Sequence, residues 1–274
     1  GGGSVWETVD WPENVHIFRE PRMTALELPK LRAVVHGAAF TAPEQAESLL
    51  TGFAAPADGQ VHLGVLHGEI DPAENRYDPL GKAEIAASGL AYLALGHIHK
   101  RTEPLRFGNT VCAWPGCPEG RGFDELGEKG FYQGTVTDGG QVELAFVPFA
   151  RHRYEILEVD VTGKTPREAV EAALPPDTAR DLYRIILTGE TGEAGAGAEG
   201  LQEALADRFY ALEIRDRTRV AEDIWARAEE DSLRGLFLRE LRQKLAAAQS
   251  DEEREEVTRA VRFGLAALDH RDLG

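Results

Sequence analysis

Cysteine is scarce in this chain of 274 residues, which has only Cys112 and Cys117. Two thiols cannot build the disulfide framework of a small secreted domain, and no second cysteine pair is there to complete a thiolate metal site. Both read as loop and core residues. Long hydrophobic runs are missing too. No apolar stretch approaches the ~18 residues of a membrane span, and no signal-peptide pattern appears, so the expectation is a cytoplasmic protein with no membrane partner. Positive charge is also in short supply: 30 Lys and Arg against 47 Asp and Glu give a formal net charge of −17. Such a balance argues against a free-standing nucleic-acid binder, because phosphate attraction needs a positive surface. It leaves room for a nuclease whose divalent ions supply positive charge locally. The chain opens Gly1-Gly2-Gly3-Ser4 with no initiator Met and reads as a protein entered partway through.

What is present is enough apolar material, 42% of residues, for real cores in one large or two modest domains. Strand-like stretches by β-branched and apolar content are Val15–Phe18, Thr24–Leu28 and Leu31–His36. A capping box with an internal proline, Thr41-Ala42-Pro43-Glu44, predicts a helix whose apolar face is Ala46, Leu49, Leu50 and Phe53. Further strands are expected at 61–66, 90–95, 110–113, 131–137 and 142–147, with a helix over 82–88. Asp138-Gly139-Gly140 predicts a hairpin between the last two strands. From Tyr154 the rhythm changes to a small β-α-β-α-β domain that ends near Ile214. Two amphipathic helices follow, one with Leu233, Phe237, Leu241 and Leu245 at helical spacing, the other with Val257, Val261, Leu265 and Leu268. The domains expected are 1–150, 151–218 and a helical tail, 219–274, in a layered α/β architecture.

The richest stretch is Gly96-His97-Ile98-His99, directly after the apolar run Leu90–Leu95. Histidines two apart leave a strand on one side and can reach a metal at its C-terminal edge, where open α/β sheets place their chemistry. A second strand, Val61–Leu66, ends in His67-Gly68-Glu69. Imidazole suits transition ions such as manganese, iron and zinc, which makes His67, His97 and His99 candidate metal ligands. His16, His36, His62, His152 and His270 lack a partner at comparable spacing and read as structural. Lys100, Arg101, Arg106, Arg121 and Lys129 cluster after the histidine pair, as a solvated face or as a phosphate-contacting rim.

These motifs resemble the calcineurin-like metallophosphoesterases, and most closely the DNA-repair exonuclease branch related to Mre11 and SbcD, including YhaO-type proteins. The resemblance rests on Leu66-His67-Gly68-Glu69, Gly96-His97-Ile98-His99-Lys100 and Pro115-Gly116-Cys117-Pro118-Glu119-Gly120-Arg121-Gly122-Phe123-Asp124-Glu125, with a weaker echo in Trp11-Pro12-Glu13-Asn14-Val15. It covers about the first 150 residues. The fold it implies is the C-terminal part of a layered α/β β-sandwich, followed by a small α+β capping domain and C-terminal helices.

By resemblance, His67 and His97 bind one metal and His99 the other, in a site of two divalent ions, most often Mn²⁺. The family's earlier motifs, Asp-x-His, Gly-Asp-x-x-Asp and Gly-Asn-His-Asp/Glu, supply the bridging carboxylate and a histidine beside the phosphate. They are absent from this sequence, and the family's order places them before residue 1. The catalytic residues are therefore expected upstream, with the fragment inactive alone and the complete protein a metal-dependent hydrolase of DNA phosphodiesters. Lys100, Arg101 and Arg121 are candidates for substrate contact. The terminal helices pack on the small domain, or else dock on an SMC-like ATPase related to Rad50 or SbcC; homodimerisation is implied by analogy. The rival readings are a phosphoesterase for small phosphoesters and a non-catalytic scaffold.

Overall fold

The structure, a computed structural model, describes residues 8–72, 74, 76–192 and 197–268. The chain divides into two compact units, Gly1–Gly120 with Glu128–Ala150, and Arg121–Gly127 with Arg151–Gly274. Both are mixed α/β. Among the described residues no helix is long and apolar enough to cross a membrane.

The first unit holds β1 (Thr24–Leu28), β2 (Ala33–Gly37), β3 (Val61–His67), β4 (Glu69–Ile70), β5 (Pro79–Leu80), helix α1 (Lys82–Ala87), β6 (Tyr92–Gly96), β7 (Leu105–Phe107), β8 (Thr110–Ala113), β9 (Gly130–Val136) and β10 (Val142–Pro148). Six strands form one sheet in the order β1-β2-β3-β6-β8-β7. Its centre, β2-β3-β6-β8, is parallel, while β1 and β7 run antiparallel at the edges. The apolar strands suit a sheet that buries one face completely. Leu66, Leu93 and Leu95 on that face pack with Leu49, Leu50, Leu80, Ile85, Leu90, Cys112 and Trp114. On the opposite face Val65 keeps 45% of its surface exposed. Strands β9 and β10 form the expected hairpin, closed by Gly140 N–H donating to Thr137 O.

The helix expected after Thr41 is not formed. Its amides have tertiary partners instead: Gln45 N–H donates to Arg76 O at 2.8 Å, and Leu49 N–H donates to Asp78 Oδ1 at 2.7 Å. Leu49 and Leu50 still reach the core, delivered by turns. Val15–Phe18 is not a strand either, since the Val15 amide closes a turn on Pro12 O. The short pairs β4 with β5 and β7 with β8 carry too few residues to leave a periodic signal.

In the second unit β11 (Tyr154–Asp160), helix α2 (Pro166–Ala173), β12 (Leu182–Thr188), β13 (Glu190–Thr191), helix α3 (Ala198–Leu205), β14 (Ala211–Asp216) and β15 (Arg219–Val220) precede α4 (Glu222–Ala226), α5 (Leu233–Ala247) and α6 (Asp251–Leu268). The three long strands are parallel in the order β11-β12-β14, as the β-α-β-α-β pattern requires. Thr165 caps α2 with its hydroxyl on the Glu168 amide, and the Glu168 carboxylate returns to the Thr165 amide. Helices α5 and α6 share a core of Leu238, Leu241, Val261 and Leu265 with Val220 and Ile224. Leu233, assigned to the apolar stripe by spacing, lies in the first turn of α5 and stays 69% exposed. Arg262 ties α6 to the strand ends: its guanidinium meets Asp216 Oδ2 at 2.6 Å and Thr191 Oγ1 at 2.9 Å.

Candidate metal centre

Parallel pairing of β3 with β6 sets His67 opposite Gly96. His67 and the residue that follows Gly96, His97, therefore emerge side by side at the C-terminal edge of the sheet. His67 Nε2 lies 3.2 Å from His97 Nδ1. The other His97 nitrogen, Nε2, lies 2.8 Å from Glu69 Oε1, and Glu69 is held by the β4–β5 pairing. The Phe40 ring meets the His67 ring edge-on at 5.5 Å, and Tyr77 lies 4.8 Å from His97, tilted 34°. Gly96 is needed at its position because the His67 ring lies over it; a Cβ there would stand 3.0 Å from His67 Nδ1. His97 leaves the strand with φ 95°, a conformation few non-glycine residues adopt and one that concentrates at functional sites.

Desolvation is the largest influence on His67, followed by the fields of His97 and His99, and together they hold its pKa below the usual value for histidine. The neutral imidazole that results is the ligand form. Two ring nitrogens bound to one transition ion at ~2.1 Å, at tetrahedral or octahedral angles, stand ~3.0–3.4 Å apart. The observed 3.2 Å, at which the two rings are hydrogen-bonded to one another, also falls in that window, so the spacing is compatible with a shared ion. In that arrangement His97 gives Nδ1 to the ion and its Nε2–H to Glu69, the carboxylate–histidine pairing that fixes ring tautomer and orientation. Among the described residues no group of three or more His, Cys, Asp or Glu side chains is arranged to hold an ion. The described residues thus present a histidine pair with His99 nearby, not a complete cage.

The remaining candidates are distributed unevenly. The His99 carbonyl accepts from Cys117 N–H at 3.3 Å and from Lys129 Nζ at 3.4 Å. Lys129, expected on a surface rim, is buried in that role. Lys100 is exposed, whereas Arg101 lies 4.2 Å from the centre of the Phe146 ring. Arg121 belongs to the second unit and pairs with Glu125 at 3.6 Å. Cys112 is fully buried, and burial pushes its thiol up to about 11.

Sequence reasoning missed several participants. Glu69 was visible in His67-Gly68-Glu69, but its role needs the β4–β5 pairing. His36 and His62, read as unrelated, form a buried chain in which His36 Nε2 lies 2.9 Å from His62 Nδ1, and His62 Nε2 lies 3.0 Å from Asp58 Oδ1. Their only sequence signal was their place on adjacent strands. Asp78 is fully buried, with Oδ1 on the Leu49 amide and, among the described residues, no partner for Oδ2. Its carbonyl accepts from Glu69 N–H at 3.2 Å, and desolvation pushes its carboxyl up to about 6. His270 lies outside the described residues.

The chain is 32% identical over 165 residues to a metallophosphoesterase, YhaO, of Bacillus subtilis; the match covers 58% of this chain and 40% of the relative. It is 26% identical over 188 residues, 66% of this chain and 40% of the relative, to the DNA double-strand break repair protein Mre11 of Methanopyrus kandleri. The chain therefore spans about two-fifths of the length of these curated relatives. No family model matches it. The two similarities support a metallophosphoesterase family, and the mixed α/β fold with a central mixed sheet is consistent with that family.

Proposed function

We propose that this chain carries the histidine side of a metal-dependent phosphoesterase centre, and that the full-length protein hydrolyses DNA phosphodiester bonds as a repair exonuclease. The observation that carries the reading is the 3.2 Å approach of His67 Nε2 to His97 Nδ1 from adjacent strand ends. His67 and His97 hold one divalent ion, with Glu69 fixing the tautomer of His97. His99 serves a second ion whose other ligands, with the catalytic residues, lie outside this sequence. When bound, the ions, Mn²⁺ by preference, supply an activated water and neutralise charge on the phosphate oxygens. The DNA assignment is supported by the similarity to a protein named for double-strand break repair. It is compatible with a net charge of −17 because ions at the site offset the repulsion of phosphate.

The experiment compares the full-length protein with its His97→Ala variant, loaded with Mn²⁺, on end-labelled linear DNA and on bis-p-nitrophenyl phosphate. Loss of DNA hydrolysis in the variant, to the level of metal-free protein, is expected. Unchanged turnover in the variant overturns the ligand assignment, and cleavage of the small diester alone assigns the enzyme to small phosphoesters. The same reading gives the second unit three domain-scale roles: a capping domain over 151–218, a tail over 219–274, and docking of that tail on an SMC-like ATPase. Exposed Leu233, Leu236 and Phe263 on α5 and α6 support the docking role. Deleting 232–274 should then abolish recovery of the ATPase in a pull-down with the purified partner.

A further inference from the structure

We infer that the Trp114–Cys117 turn is a template that sets the metal-binding geometry of the histidines, with the Trp114 indole N–H as its principal positioning group. The inference rests on the proposed reading of His67 and His97 as ligands. Trp114 follows β8 and is 5% exposed. Its Nε1–H is shared between Gly68 O at 3.1 Å and Gly96 O at 2.9 Å. The first carbonyl belongs to the residue after His67, the second to the residue before His97. A single donor therefore holds the peptide unit on which His97 is mounted and the unit after Gly68, one residue beyond His67. The last backbone bond between the same segments, Gly68 N–H to Gly96 O, is long at 3.3 Å, so the indole is the shorter tie across the seam.

The rest of the turn acts on the third histidine. Cys117 N–H donates to His99 O at 3.3 Å. Gly116, at φ 80°, passes so close that a Cβ would stand 2.7 Å from His99 O. The turn itself is moored at Thr102, whose N–H donates to Trp114 O at 3.0 Å and whose hydroxyl accepts from Trp114 N–H at 3.3 Å. One short segment thus grips the backbone beside His67, beside His97 and at His99 itself, although these span more than thirty positions of sequence. Partners one step removed from a metal commonly govern affinity by ~10–100-fold because they fix ring orientation. Trp114 stands in that relation to His97 through the Gly96 carbonyl, and acts on His67 one residue further along the backbone, in neither case through a ring nitrogen.

The test titrates Co²⁺, as a spectroscopic stand-in for the transition ion, into the full-length protein and four variants: Trp114→Phe, Trp114 replaced by its benzothienyl isostere (ring shape kept, N–H removed), Trp225→Phe and His97→Ala. Visible absorption reports both affinity and ligand geometry, and thermal unfolding reports the fold independently. The expected result is Co²⁺ binding weakened ~10-fold or more, with an altered band, in both Trp114 variants at a temperature where each is folded. Trp225→Phe should bind as wild type does. If Trp114→Phe fails to fold, the isostere decides. Wild-type affinity and spectrum in the isostere overturn the template role while leaving the ligand reading intact. Identical, featureless titrations for wild type and His97→Ala overturn the ligand reading and the template with it.

Discussion

Replacing Asp78 with Asn should stabilise the chain at neutral pH, although it removes a charged group that accepts a good hydrogen bond. The carboxyl is fully buried, Oδ1 accepts the Leu49 amide at 2.7 Å and Oδ2 has no partner among the described residues. Desolvation is the largest influence on the group and raises its pKa from 3.8 to about 6. Between those values the folded state holds a proton that the unfolded chain has released, so stability falls as pH rises through this window and is not recovered above it. Ionisation therefore costs roughly 3 kcal/mol at pH 8, from about 2.2 pKa units at 1.36 kcal/mol each. Asn keeps the acceptor for Leu49, tolerates the positive φ of 50° at this position and carries no charge. Urea unfolding, followed by circular dichroism and fluorescence, gives the stability difference between variant and wild type. It should favour the variant by up to about 3 kcal/mol at pH 8 and shrink by about 1.4 kcal/mol at pH 5. A variant less stable than wild type at pH 8, or a difference independent of pH, would refute the reasoning.

Three further outcomes follow from the same geometry. At position 97, where φ is 95°, glycine carries no strain and alanine does, so His97→Gly should be more stable than His97→Ala by ~1 kcal/mol; equal thermal midpoints would count against a strained His97. The pKa of His36 is lowered, first by burial and then by His62, so its stabilising contribution is complete above pH 6.5 and is lost as pH falls below that value. In urea titrations between pH 7.5 and 5, His36→Gln should flatten this acid-side decline, and an unchanged slope would dismiss it. Truncating Arg262 to Leu should cost about 3 kcal/mol, because it strands the largely buried carboxylate of Asp216; a loss under ~1 kcal/mol would show that the ion pair contributes little.

The parts legible in the sequence were those written in local patterns. The capping box at Thr165, the hairpin at Asp138-Gly139-Gly140 and the alternation of strand and helix beyond Tyr154 all rest on residues within a few positions of one another. The histidine pair was legible for a different reason: two strands ended in the same residue type, and parallel neighbours place their ends together. The Thr41 segment was misread because its capping signal is local while its amides answer to Asp78 and Arg76, some thirty residues away. Glu69, Trp114 and the His36–His62–Asp58 chain stayed hidden for the same reason, since each depends on which strand lies beside which. A lone tryptophan after a strand gives no hint that its N–H will be shared between two distant carbonyls.

The alternation along β3 couples two properties that look independent. Leu66 belongs to the leucine layer beneath the sheet, and the next residue turns outward to offer its ring nitrogen. Were one residue inserted or deleted inside that strand, the imidazole would be driven into oil and a leucine set out in water, a swap worth several kcal/mol against the shifted fold. Misthreaded chains are thus penalised by their own interior, whatever the imidazole goes on to bind.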